Sequence, residues 1–132
     1  MTENPVFIGP EASLQKAAEI MQRNDCGMLP VGTDAELLGV ITDRDIVIRA
    51  VSTGKDPTRE KVGYYMTSQV YACNENDFLE DAAQKMRLNK VSRLVVKNKA
   101  GKAVGILSFG GLLRREADAG EIASIVKHAA GI

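Results

Sequence analysis

Apolar residues recur at helical spacing in two places that are 65 positions apart. Leu14, Ala17, Ala18 and Met21 stand at i, i+3, i+4 and i+7, and Leu79, Ala82, Ala83 and Met86 repeat the pattern. Each stripe predicts an amphipathic helix with one face on a core. After each helix comes an asparagine, Asn24 or Asn89, and then a short apolar run, Met28-Leu29-Pro30-Val31 or Leu94-Val95-Val96. A polar turn follows, Thr33-Asp34-Ala35-Glu36 or Lys97-Asn98-Lys99-Ala100-Gly101-Lys102. A second apolar run completes each hairpin: Leu38-Gly39-Val40-Ile41-Thr42 and Val104-Gly105-Ile106-Leu107-Ser108. The offset there is 66, because the second turn is one residue longer. Such turns between β-type runs read as hairpins. A helix closes each copy, from Arg44 to about Ser52 and from Gly110 to about Ala117. Val6-Phe7-Ile8 and Val70-Tyr71-Ala72-Cys73 read as opening strands.

The chain is thus a doubled strand-helix-strand-strand-helix unit. A unit of roughly 55 residues buries too little surface to be stable alone, whereas two can share a core. The expected architecture is α+β: two β-α-β-β-α repeats related by a pseudo-twofold, sheets packed together, helices outside. The expected divisions are residues 1–55, a linker at 56–62, a second repeat at 63–117 and a C-terminal helix at 118–132. Gly54, Pro57 and the charges around them mark the connector as exposed. Ile122, Ile125, Val126 and Ala129 give the last segment an apolar face that must cover its own core or a partner.

Composition narrows the function. In 132 residues, 45% are hydrophobic and 26% charged, and the 17 basic side chains balance 17 acidic ones. That balance leaves no excess charge to drive nucleic-acid binding. No apolar run approaches the roughly 20 residues that span a bilayer. Met1-Thr2-Glu3-Asn4-Pro5 lacks the basic and apolar regions of a signal peptide, so none is expected, and two cysteines without a disulfide framework fit a reduced cytoplasmic setting. Cys26 and Cys73 make no disulfide framework and read as small buried hydrophobes. His128 is the one histidine; no second ligand stands at metal spacing, so no metal site is expected. No nucleophile–base pair is visible, which argues against an enzyme, for instance a hydrolase built on Asp45 or Cys73.

The most informative chemistry lies where the second hairpin strand meets its helix. Thr42 occupies an N-cap position and Asp45 stands at N3, the spacing of a capping box. The same junction suits a sugar and a phosphate: orphan N–H groups favour an anion, and a carboxylate can accept two hydroxyl protons. Cap alone and cap with ligand site predict the same residues.

The doubled pattern resembles a tandem pair of cystathionine-beta-synthase (CBS) domains, a Bateman module. Gly39-Val40-Ile41-Thr42-Asp43-Arg44-Asp45 and Gly105-Ile106-Leu107-Ser108 carry the resemblance. The Ala-Ala-x-x-Met helices and the runs Gly27–Val31 and Ser92–Val96 support it. It implies a stand-alone regulatory module, not an enzyme, that binds an adenosine-containing ligand: AMP, ADP, ATP or S-adenosylmethionine. The ligand would lie in a cleft between the repeats and no cofactor would be required. Carried over, one site would use Thr42 and Asp45 with Val40 behind them, Arg44 and Arg93 near phosphate, and Val70, Tyr71, Val91 and Ser92 as a purine wall. A second, weaker site would use Ser108 and Ile106 with Val6, Ile8, Cys26 and Gly27. Its weakness follows from Gly111, which stands where the family pattern has Asp. Loss of such a charge-assisted acceptor costs roughly 1.5–3 kcal/mol, or one to two decades of affinity. The resemblance also implies a homodimer and an unidentified target protein. The alternative is a ligand-free structural or oligomerisation module whose cleft is filled by its own side chains, with Tyr71 the side chain bulky enough to do so.

Overall fold

The computed structural model describes residues 2–110. The class is α+β, with two small sheets and helices among the described residues. The element order is β1 (Thr2–Glu3), α1 (Leu14–Arg23), β2 (Met28–Gly32), β3 (Leu37–Thr42), α2 (Asp43–Asp45), α3 (Val62–Tyr65), β4 (Ala72–Asn74), α4 (Leu79–Asn89), β5 (Arg93–Lys97) and β6 (Ala103–Ser108). The chain forms two compact units. One is Pro5–Val70; the other, among the described residues, joins 2–4 to 71–110.

The repeat is visible in each unit as the same hairpin. Met28 faces Thr42 and Leu29 faces Ile41 in β2–β3; Arg93 faces Ser108 and Leu94 faces Leu107 in β5–β6. Both hairpins slip register at the same place, between Val31 and Gly32 and between Val96 and Lys97. Both first helices end alike: Asn24 and Asn89 each turn a side-chain amide onto the carbonyl four residues back, Ile20 or Lys85, at 2.8 and 2.9 Å. In the first helix the amide shares the Ile20 carbonyl with the Asn24 backbone N–H, which reaches it at 3.0 Å. Ser13 caps the start of α1 by accepting from the Lys16 N–H at 3.0 Å.

One core gathers Leu14, Ala17, Ile20 and Met21 of α1 under Leu29, Val31 and Ile41. The other gathers Ala82, Ala83 and Met86 of α4 under Leu94, Val96 and Leu107. Ala18, expected on the buried stripe, is exposed, and Ile20 takes the inward place. An alanine methyl hardly distinguishes the two faces, whereas a buried Ile gains about 1.5–3 kcal/mol.

Two expected strands and one helix are redrawn. Val6-Phe7-Ile8 reduces to a single parallel bridge, Ile8 with Val31, held by Ile8 N–H to Pro30 O at 3.1 Å and Gly32 N–H to Ile8 O at 2.9 Å. The second opening strand begins at Ala72, but the Val95 N–H still reaches Tyr71 O at 3.0 Å. Pro30 stands 65 residues before Val95 and has no N–H to give to Val6, so the first ladder stops there. The helix after Thr42 starts at Asp43, not Arg44, and runs through a π turn (Ile46–Ala50) and a 3-10 turn ending at Thr53.

The connector is strapped to the first unit rather than loose. Leu14 N–H donates to Glu60 O, Gln15 N–H to Pro57 O and Val62 N–H to Ala12 O, at 2.9, 3.1 and 2.8 Å. The Val62 side chain is fully buried. Lys61 meets Glu11 at 2.7 Å; that hydrogen bond and charge hold its ammonium pKa above the usual lysine value. The expected closing helix from Gly110 and the segment at 118–132 lie outside the described residues, apart from helical backbone at Phe109 and Gly110.

Candidate ligand-binding junctions

β3 delivers Thr42 in an extended conformation, φ −115° and ψ 160°, and the next residue is helical. The capping box is complete: the Asp45 N–H donates to Thr42 Oγ1 at 3.0 Å, and the Thr42 N–H donates to Asp45 Oδ2 at 3.1 Å. The Asp43 N–H donates back to Gly27 O at 3.0 Å, and its carboxylate accepts from the Arg44 N–H at 2.8 Å. Both Thr42 and Asp45 are half-buried. The box occupies one carboxylate oxygen of Asp45, Oδ2; among the described residues no hydrogen bond engages Oδ1. A cap and a ligand acceptor can therefore coexist in this one side chain, since an ionised carboxylate offers about four lone-pair sites.

The second unit builds the same corner at Ser108. Phe109 N–H donates to Ser92 O at 2.7 Å, as Asp43 does to Gly27. Arg93 lies opposite Ser108 in the hairpin register. The half-buried Arg93 and the exposed Ser92 thus border the Ser108 junction within their own unit, while Gly27 borders the Thr42 junction in the other. Gly111, the sequence counterpart of Asp45, lies outside the described residues, as do Arg114, Arg115 and His128.

A CBS-domain family model matches residues 1–52 and again 62–118. The chain belongs to the CBS-domain family. CBS domain-containing protein YhcV of Bacillus subtilis is 33% identical over 112 residues, covering 85% of this chain and 79% of the relative. Among solved structures, the CBS domain protein PAE2072 from Pyrobaculum aerophilum complexed with AMP superposes with TM-score 0.79 at 27% identity, covering 94% of this chain and 95% of that one. CBSX2 in complex with AMP gives 0.69 at 31% identity, covering 86% and 90%.

The remaining expected site residues of this CBS pair divide between the units. Val40, Arg44 and Val70 belong with Thr42 and Asp45; Tyr71 and Val91 belong with Ser92 and Arg93. Val40 is buried, Arg44 exposed, and Val70, Tyr71 and Val91 are half-buried. Of the weaker set, Val6 is exposed, Ile8 and Ile106 are buried, and Cys26 and Gly27 are half-buried. Cys73 is buried as expected, and burial pushes its thiol pKa up, with Asp77 adding to the effect. The expectation that Cys26 is buried too is corrected to half-buried. Among the described residues no cluster of His, Cys, Asp and Glu could hold a metal, and no helix is long and apolar enough to cross a membrane. Sequence reasoning missed Thr67, which pairs with Val40 on the outer edge of β3.

Proposed function

We propose that this CBS pair is a regulatory module, not a catalyst, that binds an adenosine-containing ligand at the Thr42–Asp45 junction. The complete capping box with a spare carboxylate oxygen carries the reading. It gives an anion-friendly helix start and an acceptor for ribose hydroxyls at one place. Structural neighbours complexed with AMP support the ligand class. Thr42 and Asp45 hold the ribose and phosphate side with Val40 behind, Arg44 and Arg93 meet phosphate, and Val70, Tyr71, Val91 and Ser92 wall the purine. The Ser108 side, with Ile106, Val6, Ile8, Cys26 and Gly27, forms a weaker second site. Signalling works by population shift: the ligand favours one arrangement of the halves by its differential affinity for it.

The reading includes a cytoplasmic homodimer. Val47, Ile48 and Val51 each expose half or more of their surface on the helix after Thr42, a cluster that a second copy would cover. A thermal-shift panel tests the ligand. AMP, ADP, ATP or S-adenosylmethionine at 100 times its dissociation constant stabilises by about 2.7 kcal/mol. No shift with any of them would favour a ligand-free structural module.

A further inference from the structure

The outer edge of β3 is closed by a single residue from the segment that follows α3. Val40 N–H donates to Thr67 O at 2.9 Å, and Thr67 N–H donates to Val40 O at 2.8 Å, a complete antiparallel pair. Gly39 makes this approach possible. A Cβ at position 39 would stand 2.6 Å from Thr67 O and 3.2 Å from Met66 Sδ. The pair is held from behind, because Met66 N–H donates to Val62 O at 2.8 Å and Arg49 Nη1 donates to Tyr65 O at 2.7 Å. Val40 stands two residues before Thr42, and Thr67 three residues before Val70. Extended chain covers at most about 3.6 Å per residue, so the clamp ties both stretches by tethers of about 7 and 11 Å.

We infer that Thr67 and Gly39 are positioning residues for the Thr42–Asp45 junction. The clamp fixes where β3 delivers the capping box, and it anchors the chain that leads to Val70 within the same unit. Without it β3 is an open edge, whose last residues fray in low-energy local openings. The consequence for ligand affinity rests on the nucleotide reading above; the effect on the capping box does not.

Amide hydrogen exchange on the full chain, first without ligand and then with AMP, tests the clamp. Thr67→Pro removes the donor to Val40, and Met66 already has the extended backbone, φ −66° and ψ 155°, that a residue before proline requires. Gly39→Ala breaks the pair from the other side, and Thr67→Ala keeps both backbone bonds. In Thr67→Pro and Gly39→Ala, the Thr42 and Asp45 amides exchange at least about tenfold faster through local opening, while Thr67→Ala matches the parent. AMP binds about tenfold more weakly to the same two variants and normally to Thr67→Ala, measured where circular dichroism shows all three fully folded, so that a smaller folded fraction cannot account for the loss. Parent-like protection of Thr42 and Asp45 in either broken variant overturns the proposal. If neither variant folds, the parent decides. Val40, Thr67 and Asp45 amides that open as one unit support the clamp, and independent opening contradicts it. A parent that binds no AMP removes the nucleotide reading and leaves the exchange result to judge the clamp.

Discussion

Two stretches with the same hairpin, the same bulge and the same corner hydrogen bond differ at two residues that decide what each can do. Pro30 stands where the second repeat has Val95, and Asp45 stands where it has Gly111. The first difference is structural. Val95 passes its N–H to Tyr71 and carries a fourth strand, whereas Pro30 has none to pass and leaves only the Ile8 bridge. The second difference is chemical. Thr42 gains a carboxylate that closes its cap and keeps an oxygen to spare. A duplicated fold thus supplies equivalent corners, and single residues make them unequal.

The largest effects test whether the two cores are equivalent. Leu29 and Leu94 sit at matching positions with 1% and 0% exposure. Leu29→Ala and Leu94→Ala should each lower unfolding free energy by about 2–5 kcal/mol in urea denaturation. A negligible loss at one would break the equivalence. Next, Thr42→Ala should cost about 1 kcal/mol by removing the cap acceptor, measured the same way. Pro30→Val sharpens the strand comparison: the amide gained at position 30 should be protected from exchange by Val6 O, as Val95 is by Tyr71. A freely exchanging amide there would show that more than the missing donor ends the ladder.

The cysteines give a smaller contrast. Burial holds the Cys73 thiol pKa above its ordinary value, so the neutral form stabilises the fold. That contribution is complete below about pH 9 and is lost as pH rises through the folded-state value. At pH 8 a thiol reagent should modify half-buried Cys26 faster than Cys73 in the native protein. Smallest of all, Arg59→Ala removes an exposed pair with Asp56 at 3.7 Å and should change stability by less than about 0.5 kcal/mol.

Much of this was legible because side chains carry it. The helical stripes, the paired hairpins and the Thr42–Asp45 spacing are written in residue type. What escaped is written in the backbone. Thr2–Glu3 pairs with Ile106 and Gly105 of β6, and Thr67 pairs with Val40, each through peptide groups that every sequence possesses. Thr2 and Thr67 are themselves 65 residues apart, so each repeat's leading segment lies on the third strand of the other. The π turn at Ile46–Ala50 was equally silent, since Val51 N–H reaching back to Ile46 O asks nothing of a particular side chain. The shortened first strand, by contrast, was readable: Pro30 within a β run warned of a missing donor.

Isothermal titration of AMP into the parent and into Asp45→Ala, side by side, tests the central claim most directly. The account predicts a strong site in the parent that weakens by about one to two decades in the variant, with the fold intact by circular dichroism. Equal affinity in the two proteins would contradict it.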